Sequence, residues 1–275
     1  MWMYAVVCWF FLFLVSVPAH AQEQKEVKEL GLDQKLERLY QLYRSGETVS
    51  LKSYEMRFGL GIAYALDEET ALGIRASSRT LGLQGSFAYG ITNWLEAGIA
   101  VPLKWNDSRI ESSEKSIVHQ SIAGIGDVNV HLIAKLPIRA FEITPILSIA
   151  FPTGGESLGE SGIRSSLGFN IAKTIRPAFL YMGLAWQRNW HTQRDSIGYT
   201  AGFGFYVNHA LSVGAELSGT RFLNPPRGGI YDAAVMTLQM SYQATPYLGL
   251  TPYVSIGLTD STPDAVVGVN LVWRR

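Results

Sequence analysis

The sequence predicts an all-β fold: a 12-stranded antiparallel transmembrane β-barrel with a short N-terminal α-helical segment. Three observations point to it. Beyond Leu51, apolar and polar residues alternate with a period of two. The connections between the alternating segments are minimal on one side and long and polar on the other. The aromatic residues of the outward parity gather in two belts. Alternation alone is shared with soluble β-proteins, so the connections and the belts decide.

The chain opens on an apolar run, Ala5 to Val17, followed by Pro18-Ala19-His20-Ala21, whose last three residues have the A-x-A form of an export cleavage site. The run is short for a membrane-spanning helix, and polar Gln22-Glu23-Gln24-Lys25 follows at once. No Lys or Arg precedes it, so the usual basic start is missing. Residues 1–21 are therefore expected to be a signal peptide and 22–275 the exported protein. Cys8, the one cysteine, lies within the signal, too far from the cleavage site to carry a lipid. Disulfides, thiol catalysis and Cys-ligated metals are then excluded from the exported part. Its 23 basic and 23 acidic residues balance, so no basic stripe marks a nucleic-acid partner. Charged residues are only 17% of the chain, below the soluble norm of roughly 25%, as a lipid-facing surface allows.

Residues 22–50 carry a different period. Asp33 is a suitable N-cap, and Leu32, Leu36, Leu39 and Tyr43 form one helical stripe that Gly46 would end. A helix of about three turns is marginal alone and needs a partner. This segment is expected to act as a periplasmic plug or gate, or to join copies into a homo-oligomer through residues 32–43.

The barrel is assigned to 51–275. Met56, Phe58, Leu60, Ile62 and Tyr64 alternate with Glu55, Arg57 and small residues; Val128, Val130, Leu132 and Ala134 alternate with Asp127, Asn129, His131 and Lys135. Twelve segments fit this pattern: 52–65, 79–92, 94–106, 122–136, 140–152, 163–175, 178–190, 197–208, 210–222, 233–245, 247–259 and 265–274. Each is long enough to cross a bilayer as a tilted strand of about 9–11 residues. After the even-numbered segments the turns are Thr92-Asn93, Ile138-Arg139, Arg176-Pro177, Asn208-His209 and Thr245-Pro246. After odd-numbered ones come longer links such as Asn106–Ser121 and Asn224–Asp232. Tyr89-Gly90-Ile91-Thr92-Asn93-Trp94-Leu95 echoes Tyr242-Gln243-Ala244-Thr245-Pro246-Tyr247-Leu248, as one repeated hairpin unit would.

With the first strand running outward, Tyr64, Trp105, Phe151, Trp190 and Tyr199 fall near the long-loop end and face lipid. Tyr89, Phe141, Phe205, Tyr242 and Trp273 do so near the short-turn end. An open sheet edge in hydrocarbon would strand backbone groups, so the sheet must close. An even strand number puts both ends of the barrel on the short-turn, periplasmic side of the outer membrane. The inward parity carries Glu55, Arg57, Gln84, Glu96, Lys104, Asp127, Asn129, His131, Lys135, Glu142, Arg164, Asn170, Glu216, Gln239, Gln243 and Asn270. Both charge signs occur, so strong ion selectivity is not implied. Two readings stay open: a solute path, or opposite charges paired across a filled lumen.

The closing strand Gly268-Val269-Asn270-Leu271-Val272-Trp273 resembles the signal read by the barrel-assembly machinery, although Arg274-Arg275 follow where the aromatic is usually last. Gly124-Ile125-Gly126-Asp127-Val128-Asn129-Val130 with Lys135-Leu136-Pro137, Ala150-Phe151-Pro152-Thr153-Gly154-Gly155 and Thr262-Pro263-Asp264-Ala265 resemble the outer-membrane transporter family associated with meta-pathway phenol degradation. That resemblance implies a channel for small, often aromatic or apolar, solutes. The chain is also similar to functional-amyloid secretion channels, which implies polypeptide export as the alternative.

An enzyme is the third reading. His119-Gln120-Ser121 puts a base and a nucleophile on one face of a strand and resembles the catalytic pair of outer-membrane phospholipases. Parity continued from Val128 turns both side chains inward, where lipid does not reach; a bulge at Gly124 or Gly126 would reverse this. Ile122-Ala123 stands where that family has Asn-Gly. No enzyme is expected. His131, His191 and His209 show no metal-ligand spacing, and neither metal nor cofactor is expected.

Overall fold

The computed structural model describes residues 51, 53–71, 74–112, 117–138, 141–154, 158–159, 162–175, 177–223, 232–259 and 262–275. The expected signal peptide and the 22–50 segment with its 32–43 stripe lie outside the described residues.

Among the described residues, fourteen strands run β1 (Met56–Ala71), β2 (Ile74–Gly90), β3 (Leu95–Ser112), β4 (Ile117–Ile125), β5 (Val128–Ala134), β6 (Leu136–Ile138), β7 (Phe141–Phe151), β8 (Arg164–Ile175), β9 (Ala178–Asn189), β10 (Arg194–Tyr206), β11 (Leu211–Phe222), β12 (Asp232–Gln243), β13 (Leu248–Gly257) and β14 (Ala265–Arg274). Because β4, β5 and β6 are successive pieces of one crossing, the wall has twelve crossings. Every pairing is antiparallel between chain neighbours, and β14 closes on β1 from Arg57↔Arg274 to Leu66↔Ala265. At the seam the Met56 and Arg275 backbones exchange N–H···O=C bonds of 2.9 and 3.0 Å. Closure supplies each of the twelve crossings with a neighbour on both sides, which an unwetted hydrocarbon environment requires.

The side chains are inverted relative to a soluble protein. Along β1, Met56, Phe58, Leu60, Ile62, Tyr64 and Leu66 are all exposed, while Arg57 between them is 4% exposed. Met182, Leu180 and Leu184 of β9 show the same apolar outward face. No exposed surface this apolar is tolerated by water alone, so the outer face is a lipid face. Met182→Arg, at mid-strand, is expected to cost about 2–4 kcal/mol in lipid, against about 0–1 for Ile138→Arg beside a short turn. Urea titration of the two variants in bilayers measures the difference; equal losses would remove the lipid face.

The short turns repeat for a local chemical reason. In the turn before β3, Thr92 Oγ1 accepts from the N–H groups of Trp94 and Leu95 (3.2 and 3.0 Å). Thr245 Oγ1 does the same for Tyr247 and Leu248, and Asn208 Oδ1 for Ala210 and Leu211. A short polar side chain thus replaces the missing ladder partner, which explains the echo between the two hairpins.

The boundaries differ from expectation at the other end. Residues 66–71 and 74–78, outside the expected segments, are strand: β1 and β2 stay paired to Ala71↔Ile74, and β3 and β4 to Glu111↔Ile117. Beyond the bilayer the outward face need not be apolar, so Asp67 and Glu68 hide a strand that backbone pairing alone extends. The fourth crossing also breaks. Ile125 and Val128 both face outward although three positions apart, so one extra residue is inserted at Gly126-Asp127. Opposite it stands Pro102, which has no N–H to offer, while its carbonyl accepts from Gly126 (2.8 Å).

The packed interior sits at the short-turn end, where Phe179 and Tyr206 stack at 5.0 Å beside Ala172 and Tyr181.

Candidate functional site

Strand parity turns the expected interior residues into the lumen, and four contacts organise them. Arg57 pairs with Glu96, Lys135 with Glu142 (3.6 Å), and Arg164 with Asp127 (3.3 Å), while Tyr181 donates to Glu216 (2.6 Å). Asn270 lies against Gly61, and His131 against Gly98, where a side chain would collide with them. Gln239 is buried opposite Tyr253, Gln243 faces Gly249, and Gln84 faces Pro102. Glu55 precedes β1 at the rim. Asn129, His131, Arg164 and Asn170 share a cavity of about 660 Å³. Its wall also includes Ser148, Ser166, Gln187, Thr200 and Ser218, which the sequence reading passed over. Four of these are hydroxyls and Gln187 is an amide, and all five share the inward parity of their strands.

The inserted residue at Gly126-Asp127 builds a latch. Asp127 Oδ1 accepts the Gly154 N–H (3.2 Å) and Oδ2 receives Arg164. Thr153 Oγ1 accepts from the Val128 N–H and donates to the Gly126 carbonyl, both at 2.9 Å. Lys104 Nζ donates to the Leu158 carbonyl (3.3 Å), and Leu158 lies over Gly124. Thr153, Gly154 and Leu158 of the link between β7 and β8 are thereby held against the wall. Any Cβ on Gly159 would strike Asp127, so the close approach needs glycine. Two sequence stretches noted separately, around Asp127 and around Thr153-Gly154, are the two halves of this latch.

A second cluster occupies the short-turn end. Glu96 is fully buried; besides Arg57 it accepts the backbone N–H of Leu51 (2.8 Å). Arg274 stands beside Arg57 in the β1–β14 register.

The belt aromatics face outward. Lys173 lies over Phe141 (5.1 Å) at the short-turn rim, and Arg188 over Trp190 (5.0 Å) at the opposite rim. Trp273 extends the lower belt through Phe58 (5.4 Å) to Phe87 (5.0 Å) across the seam.

His119 and Ser121 face outward, contrary to the parity argument, because the inserted residue reverses the alternation above Gly126. His119 Nε2 meets Asp107 Oδ1 at 2.6 Å, and Ser121 Oγ accepts from the Trp105 indole N–H at 2.9 Å.

No family model matches the chain, and no curated protein matches it in sequence. Solved structures do. An outer membrane channel from Pseudomonas putida F1 is similar over 84% of this chain and 98% of its own, with a TM-score of 0.65 and 14% identity. The translocator domain of the autotransporter NalP from Neisseria meningitidis is similar over 88% and 95%, with a TM-score of 0.56 and 11% identity. At such identities the likeness is one of fold: a closed 12-stranded antiparallel β-barrel.

Proposed function

We propose that this barrel is an outer-membrane channel for small solutes, hydrophobic and aromatic ones included. One observation carries the reading: a cavity of about 660 Å³ inside the wall, in the size range of small-molecule sites. Its lining mixes hydroxyl and amide side chains with apolar residues such as Ile133, Ile146 and Val235, and the charges on or near it are paired within the wall, Arg164 with Asp127 and Lys135 with Glu142. Such a path carries little net field, so uncharged solutes fit it and ions are poorly discriminated. The similarity to an outer membrane channel supports the same reading. In this proposal β14 is the strand offered to the barrel-assembly machinery, the belts seat in outer-membrane lipid, and both termini are periplasmic.

Planar-bilayer recording of the intact protein tests it. The expected result is discrete conductance steps whose reversal potential stays near zero in a salt gradient. No conductance from the intact protein, nor from protein lacking residues 22–50, would sink the channel.

A further inference from the structure

Register arranges the lining of the cavity in rows across the wall. Gly168 of β8 pairs with Ala185 of β9, and Ala185 with Gly198 of β10, so three neighbouring strands offer the lumen nothing larger than a methyl group. Their lipid-facing neighbours Leu167, Leu184 and Trp186 are large, so the small residues are confined to the inner surface. Two residues along the strands toward the long loops, Ser166 pairs with Gln187. Two residues toward the short turns, Asn170 pairs with Gly183 and Gly183 with Thr200, and Ser218 follows on β11. All three rows line one cavity.

Two carboxamides border the bare row. Gln187 Nε2 lies 3.3 Å from where a Cβ on Gly198 would stand, and the Asn170 carboxamide fills the place of a Cβ on Gly183. Glycine at both positions lets the amides lie along the wall. A carboxamide donates and accepts, so it serves either side of an uncharged hydrogen bond. Among the described residues, Arg164 is the one Asp, Glu, Lys or Arg in the lining, and Asp127 engages it.

We propose that this bare row is the solute site of the channel, and that it takes uncharged six-membered rings bearing hydroxyls at opposite corners. The ring lies over Gly168, Ala185 and Gly198, and its hydroxyls reach Gln187 on one side and Asn170 on the other. The two polar rows stand four residues apart along the strands, about 13 Å. A ring lengthened by a hydrogen bond of about 2.8 Å at each end covers that span once the amides lean inward. A charged solute would give up hydration for no counter-charge. A purely apolar one would displace water from both amides without replacing its hydrogen bonds. The site deepens the channel reading and rests on it, since solute must reach the lumen.

Calorimetric titration of the detergent-solubilised, full-length protein tests it with two rings of one shape, trans-cyclohexane-1,4-diol and trans-4-methylcyclohexanol. The native protein is expected to bind the diol about 10-fold more tightly, the worth of one neutral hydrogen bond. Gln187→Leu and Asn170→Leu should each abolish that preference. Gly198→Leu, whose Cβ meets nothing closer than the movable Gln187 amide, should weaken both rings by about 10-fold or more. Equal affinities in the native protein, no binding of either ring, or a preference that survives both amide variants would overturn the proposal. Should Gly198→Leu not fold, the amide variants decide alone. Binding needs no passage: a barrel that passes no ions yet prefers the diol would defeat the channel and leave the site. A conducting barrel with no such preference would do the reverse.

Discussion

Glu96→Ala is expected to destabilise the barrel by about 3–5 kcal/mol, because it leaves the Arg57 guanidinium buried without its carboxylate. Both partners are almost wholly removed from water, with side-chain exposures of 5% and 0%. Coulomb attraction in such a place only offsets desolvation, so the loss measured is that of an orphaned charge rather than the value of the pair. Two companion variants separate these meanings. Glu96→Gln keeps an acceptor for the Leu51 N–H and is expected to lose less, about 1–3 kcal/mol. Arg57→Met with Glu96→Leu removes both charges and is expected to stay close to the native stability. Urea unfolding in lipid vesicles, followed by tryptophan fluorescence, gives all three values. An alanine variant within about 1 kcal/mol of the native protein would show that water reaches the pair.

Asp127→Ala is expected to release the β7–β8 link from the wall. The substitution removes the acceptor of the Gly154 N–H and the partner of Arg164. It also opens the space that Gly159 now closes. With Asp127's side chain 5% exposed and Arg164's 35%, the combined loss is about 3–4 kcal/mol, most of it felt locally. Each 1.4 kcal/mol is a factor of ten, so the released population rises by about two to three orders of magnitude. Limited proteolysis between residues 152 and 163 should accelerate accordingly, while the rest of the barrel resists. Single-channel records should become noisier and larger. Arg164→Lys, which keeps the charge, is expected to fall between the two proteins. Unchanged cleavage in Asp127→Ala would mean that Thr153 and Lys104 hold the link by themselves.

The barrel was legible because its signals are local and repeated. Period-two alternation from Met56 to Leu66 reappears strand after strand, and lipid makes the outward choice apolar without reference to any other strand. The minimal turns were legible for the same reason, since Thr92, Asn208 and Thr245 act on their own next residues. Reading stopped where lipid stopped. Past Leu66 the charged residues Asp67 and Glu68 looked like loop, yet the ladder with β2 continues to Ala71. The orientation of His119 and Ser121 was misread because one residue inserted at Gly126-Asp127 reverses parity above it, and alternation carries no memory across a bulge.

What the sequence determined by itself is the scaffold: a closed barrel of twelve crossings and its apolar outward face, both products of a repeated choice between hydrocarbon and water at each residue. Only the tertiary structure decided which interior residues meet. Arg57 and Glu96 are 39 positions apart, Asp127 and Arg164 37, and Tyr181 and Glu216 35. Such pairs depend on strand tilt, on register and on the inserted residue, which fix distances across the lumen that no periodicity along the chain encodes. The burial of Leu51 belongs to the same class, because its hydrogen bond to Glu96 exists only once β1, β2 and β3 have come together.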